Sequence, residues 1–242
     1  MITEDRMKYT NEIEAALKEA GYAADHEACR SLSIYMTGIL ERNKSINLTR
    51  VTDPESFIHD HIVDSASLSK LEALRNAGTV CDVGTGAGFP GIVLAALFPE
   101  KRLTLIDSLA KRLAVIKDLA AEAGIDNIKL VHARAEDAGH DPDLREHFDL
   151  VTARAVAKLS VLAELALPLV KRGGTFAAFK GASCEEEAEE AEKAANILGS
   201  SGITIQDAGV EGTRHMFAVM KKIRKTPGKY PRKAGEPARK PL

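Results

Sequence analysis

The 242-residue sequence has no tryptophan, three cysteines and only 5% aromatic residues. Cys29, Cys81 and Cys184 are too few and too scattered for a disulfide framework or a Cys-x-x-Cys metal site, so they read as free thiols in a reducing compartment. His59 and His61 lie two positions apart and no His-Glu-x-x-His occurs, so no metal is expected. The longest strongly apolar run, 89–98, has ten residues and contains Pro90, well short of the roughly 20 that a bilayer span needs. The first ten residues, MITEDRMKYT, carry acids where a secretory signal would have a basic start and an apolar run. The expectation is a cytoplasmic protein without membrane contact. What is present fits that: 45% hydrophobic and 28% charged residues, on a length that allows one sizeable core.

The net charge of −2 conceals an asymmetry. Residues 221–242 hold nine Lys or Arg against Glu236 alone, a balance of +8, which leaves −10 for residues 1–220. Four of the nine prolines also lie there, and proline lacks a backbone donor, so 223–242 should continue neither sheet nor helix. A basic extended arm on an acidic body suits a polyanion; a solvated tail that only aids solubility is the plainer alternative. Tyr230 leans towards nucleic acid, because an aromatic ring can stack on an unpaired base. The run 185–192, with six glutamates in eight residues, reads as the solvated face of a helix, without a function.

Apolar spacing predicts helices over 3–20 and 25–43, a turn at 47–49, and a third helical region entered at Asp53-Pro54, reaching about residue 74 with a break near 64–65. From residue 79 short β-rich runs (79–83, 102–107, 128–132, 149–152, 175–179) alternate with helices beginning near 90, 110, 158 and 184. Two late runs, 203–206 and 215–220, read as a hairpin closing one edge. The expected fold is a doubly wound α/β domain, a mostly parallel seven-stranded sheet over 77–222, behind a helical extension over 1–76 and ahead of the tail.

The run Val80-Cys81-Asp82-Val83 leads straight into Gly84-Thr85-Gly86-Ala87-Gly88-Phe89-Pro90-Gly91. Glycines there let the chain turn sharply and let a ligand approach the backbone, beyond the carboxyl end of the first strand. Gly86, Gly88 and Gly91 also match Gly-x-Gly-x-x-Gly, so a dinucleotide reading stands beside S-adenosylmethionine. Asp82 would repel a pyrophosphate but can accept bonds from a cationic amino-acid group, which favours the latter. Asp107, ending the next strand, can accept both ribose hydroxyls in either case. Arg154, ending the fourth strand, would be costly there unless paired, which points to a role. Ala135-Glu136 and Lys180-Gly181 lie on the same rim, and position alone does not separate a role from an ordinary loop or lysine.

Taken together, Asn47-Leu48-Thr49, Asp53-Pro54, His61 with Asp64-Ser65, the glycine run, Arg134-Ala135-Glu136-Asp137, Arg154-Ala155, Lys180-Gly181 and the ending from Lys229-Tyr230-Pro231 to Pro241-Leu242 resemble the RsmG (GidB) methyltransferases. The resemblance implies a class I, Rossmann-like fold and S-adenosylmethionine-dependent methylation of N7 of one guanine in small-subunit (16S) ribosomal RNA, by a monomer acting on that RNA or on the small subunit. It places the cofactor at Gly84, Gly86, Phe89, Asp107, Ser108, Ala135, Glu136 and Arg154, and the guanine near Asn47, His61 and Lys180. Asp107 departs modestly, since glutamate is common there in relatives. Guanine N7 has a free lone pair, so no general base is needed; Asp64 is the expected carboxylate to stabilise the cationic product. Rival readings are an NAD(P)-dependent oxidoreductase and a non-enzymatic ribosome-binding factor.

Overall fold

The computed structural model describes residues 4–154 and 156–242; Ala155 of the expected Arg154-Ala155 pair lies outside them. Seven strands, β1 (Thr79–Val83), β2 (Arg102–Asp107), β3 (Ile128–His132), β4 (Phe148–Arg154), β5 (Val170–Lys180), β6 (Thr204–Asp207) and β7 (Met216–Lys221), form one sheet in the order β3-β2-β1-β4-β5-β7-β6. The first five are parallel, and β7 runs antiparallel to both β5 and β6. The order reverses between β1 and β4, and the expected glycine loop leaves β1 at that switch point, where open α/β sheets bind ligands.

Alternation along the strands divides the core into two layers. Val80, Leu105, Leu150, Ala177 and Phe217 face one cluster, and Cys81, Ile106, Val151, Phe176 and Ala218 face the other. Side chains two apart share a face, so both faces of a buried sheet must be apolar. Helices α5 (Leu159–Ala166) and α6 (Cys184–Leu198) cover the second face. On the first face only α3 (Gly91–Leu97) and α4 (Ala110–Glu122) arrive as crossovers. The amino-terminal helices α1 (Thr10–Glu19) and α2 (His26–Asn43) complete that layer, with Ile13, Leu17, Tyr35, Met36 and Ile39 in one cluster with Ile92 and Leu119. The extension therefore shares the sheet's core.

The helix-start signals hold: Asp25 accepts a bond from Ala28 N (2.7 Å), and Asp53 accepts one from Ser56 N (2.8 Å) ahead of Pro54. The break expected near 64–65 does not occur. Helical turns run from Pro54 through a π-helical stretch at Ile58–Val63 to Lys70, and the coil stops at extended Leu71. Single π turns inside helices frequently lie at functional sites.

The tail departs most from expectation. It folds back on the body, because its polar groups find buried partners. Lys222, fully buried, donates to the Leu167 carbonyl (2.7 Å) and pairs with Glu146 (2.8 Å). Arg145 donates to the carbonyls of Thr226 (2.9 Å) and Tyr230 (2.8 Å). Tyr230 is buried in the second cluster, so its ring is closed to a stacking base. Glu236–Arg239 even forms a helical turn containing Pro237, which the first-turn position tolerates. Among the described residues, no helix is long and apolar enough to cross a membrane.

Candidate active site

Two groups of residues meet at the carboxyl ends of the central strands. The first surrounds a hollow of about 420 Å³, lined by Gly84, Asp107, Ser108, Ala135 and Glu136, with Val161 and Leu165 of α5 on another side. A larger cavity of about 590 Å³ lies at the opposite end of the sheet, against Asp149, Gly174 and Thr175. Volume favours that cavity, but the strand ends and the acid that can hold a ribose belong to the smaller one.

The glycine loop is shaped from beneath. Gly84, Gly86 and Gly88 have φ of +72°, +60° and +96°, a region that side-chain-bearing residues rarely adopt. Asp82 braces the loop: its Oδ2 accepts from Thr85 Oγ1 (2.6 Å) and Gly91 N (3.0 Å), while its buried Oδ1 has no partner. Burial pushes the Asp82 carboxyl up to about 6, against the pull of those two bonds. Tyr35 of α2 donates to the Ala87 carbonyl (2.8 Å), so the helical extension also supports the loop. Asp107 accepts from Gly86 N (2.9 Å) and Leu109 N (2.8 Å), one bond to each oxygen. Each oxygen retains capacity for a hydroxyl donor. The positive-φ cradle, the acid beside it and the unpartnered Asp82 oxygen suit a nucleoside carrying a cationic amino acid.

The second group is a polar network around Arg154. Its guanidinium donates to Asp64 Oδ2 (2.8 Å), to the Asp60 carbonyl (2.8 Å) and to His61 Nδ1 (2.9 Å), and packs over the rings of Phe89 and Phe179. The pairing expected of an arginine at this strand end is present. Because arginine can only donate, His61 Nδ1 accepts, leaving Nε2–H to donate to Thr49 Oγ1 (2.8 Å). The His61 ring stacks on Phe89 with centroids 4.8 Å apart. Burial, reinforced by the Arg154 charge, lowers the His61 imidazole to about 4, so it is neutral at pH 7. Asp64 Oδ1 meets His215 Nδ1 at 2.6 Å, and that bond raises His215 above its ordinary value. Burial pushes the Asp64 carboxyl upward, but the bonds from His215 and Arg154 outweigh it and hold it below the usual range.

Gly84, Asp107, Ser108, Ala135 and Glu136 thus share the hollow, and Gly86 joins it through Asp107. Phe89 and Arg154, expected at the cofactor, belong instead to the network with His61 and Asp64. Asp64 is 2% exposed and both its oxygens are engaged, so it is a clamp on Arg154 rather than a carboxylate open to a substrate cation. Lys180 is also committed: Nζ donates to the Ala157 carbonyl (2.8 Å) and to Glu187 (2.6 Å). Its partner comes from the glutamate-rich helix α6, one of whose acids therefore ties down the rim. Asn47 is exposed in a turn held by Asn43, whose side chain bonds Thr49 and Leu48.

His215 and Phe179 escaped the sequence reading. His215 is 151 positions from Asp64 and carries no local motif. Pro237 and Ala238 of the tail, which also line the hollow, gave no signal either. Glu164 did leave one: a lone acid in the apolar run LSVLAELA demands a buried partner. Among the described residues no three His, Cys, Asp or Glu side chains gather as a metal site would require.

The fold is similar to an S-adenosylmethionine-dependent O-methyltransferase from Thermotoga maritima, with a TM-score of 0.53 at 14% identity over 77% of this chain and 72% of that one. The sequence is 46% identical to the ribosomal RNA small subunit methyltransferase G of Lactobacillus helveticus, across 86% of this chain and 89% of the relative. It is 47% identical to the protein of that name from Desulfitobacterium hafniense, across 87% of each. The family model described as GidB, rRNA small subunit methyltransferase G, matches residues 28–217, and the chain belongs to that family.

Proposed function

We propose that this protein methylates N7 of a specific guanine in small-subunit (16S) ribosomal RNA, using S-adenosylmethionine, and that it acts in the cytoplasm as a monomer. The observation that carries the reading is the hollow at the β1–β4 switch point, where a positive-φ glycine cradle faces Asp107 in a chain of this family. The cofactor, when bound, supplies a methyl group on a sulfonium centre. The residues to hold it are the backbone of 84–88, the Asp107 carboxylate and Ser108 at the ribose, and Ala135-Glu136 at the adenine edge.

Guanine N7 carries an in-plane lone pair and no proton, so no side chain has to act as a base. Neutral His61, with both ring nitrogens engaged, fits that requirement. The protein's task is alignment, which in favourable cases contributes roughly 7–11 kcal/mol. Asp64 and His61 hold the Arg154 guanidinium in one orientation beside Phe89 and Phe179. N7 lies in a groove that A-form RNA closes to side chains, so the target guanine must be unpaired or splayed out.

Family membership displaces the oxidoreductase reading. The test is incubation with methyl-labelled S-adenosylmethionine and small subunits from a strain lacking this gene. Label is expected in the 16S RNA as 7-methylguanine. RNA binding without label transfer would instead establish the non-enzymatic factor.

A further inference from the structure

The tail's basic composition hides a second contribution. Pro237 and Ala238 line the same hollow as Gly84, Asp107, Ser108, Ala135 and Glu136. They are held there by two anchors, each on an element that itself walls the hollow. Arg232 binds Glu164 of α5 through its backbone N (2.8 Å), Nε (2.9 Å) and a terminal guanidinium nitrogen (2.5 Å). Glu164 is fully buried, while Val161 and Leu165 of the same helix face the hollow. Gly235 N donates to Glu136 Oε1 (2.9 Å), tying the segment to the turn Ala135–Ala138. Gly235 has φ +79° and opens the turn Glu236–Arg239, which carries Pro237 inward; Pro237 is buried, whereas Ala238 keeps an exposed edge.

The hollow that results has apolar side chains (Val161, Leu165, Pro237) and a polar side formed by Asp107 and Ser108. Apolar walls suit a flat heterocycle, and an acid at one side suits vicinal hydroxyls. We infer that the segment 235–239 is the outer wall of the cofactor's nucleoside subsite, so that the basic tail is part of the cofactor site. The inference rests on the reading of the hollow given above. The segment lies beyond residues 28–217, the part matched by the family model.

Calorimetric titration with S-adenosylmethionine and, separately, with adenosine tests it on three proteins: the full chain, a chain ending at residue 234, and full-length Ala238→Trp. Truncation should weaken both ligands in equal proportion, by about tenfold, since a lost apolar wall removes contact with the moiety they share. Ala238→Trp fills the hollow from an exposed position, so it should fold and weaken both ligands at least as much. If the full chain binds both ligands and the two variants stay within twofold of it, the inference is overturned. Loss confined to S-adenosylmethionine, with adenosine unaffected, would also overturn it. A full chain that binds neither ligand would instead refute the reading of the hollow itself.

Discussion

Replacing Asp64 by Asn tests the network that holds Arg154. Asp64 is 2% exposed and accepts from Arg154 at 2.8 Å and from His215 at 2.6 Å. Asparagine keeps the shape but removes the charge and turns one acceptor into a donor, facing either a guanidinium or an imidazole. Removing one partner of a buried pair typically costs about 3–5 kcal/mol. The Arg154 side chain retains 15% exposure and its bonds to Asp60 and His61, so the low end, about 3 kcal/mol, is expected. Urea unfolding of both proteins between pH 3 and 9 measures it. The Asp64 carboxyl sits below its unfolded value, so its contribution is present above about pH 4 and fades as pH falls through the folded value. His215 sits above its unfolded value, so its contribution is complete below about pH 6.5 and fades as pH rises through the folded value. The wild-type advantage should therefore be broadest between about pH 4 and 6.5. An advantage below about 1 kcal/mol throughout, or one that does not decline on either side of that range between pH 3 and 9, would refute the clamp.

Three further outcomes are expected. Because His61 stays neutral down to about pH 4, it stabilises the fold above the ordinary imidazole value of about 6.5, and roughly 3 kcal/mol is lost as pH falls from there to 4; a His61→Phe variant should lack this slope, and an unchanged slope contradicts the assignment. Arg232→Met leaves the buried Glu164 uncompensated and should cost about 3–5 kcal/mol, whereas Arg232→Met with Glu164→Met should recover most of it; equal losses in both would show that the pair is not the anchor. Seven of the nine tail cations remain exposed, so changing Lys225, Lys229, Lys233 and Arg239 to Gln should reduce the salt slope of RNA binding by up to about 3, at 0.7 per contact; an unchanged slope makes the tail electrostatically passive.

The sequence carried the strand-helix alternation because parallel strands are short apolar runs bounded by turn residues, and β1 to β5 lie where those runs predict them. It carried Gly84 and Asp107 because the cradle is built from consecutive residues and the acid ends the next strand. The partners of Arg154 were beyond it: Asp64 lies 90 positions away, and His215, which braces Asp64, lies 151 positions from that acid, joined only by folding. Lys180 misled for a similar reason. It is a rim residue in sequence, but it is consumed by Glu187, a partner that no local pattern assigns. The tail misled through composition. Nine cations suggested a free arm, yet Lys222 and Arg232 are neutralised by Glu146 and Glu164 inside the body.

The most direct measurement is the position of the methyl group. Small subunits lacking the modification, incubated with this protein and labelled S-adenosylmethionine, should yield one labelled 7-methylguanosine after nuclease digestion. Label on any other atom or base, or no transfer despite tight binding of both partners, would contradict the account.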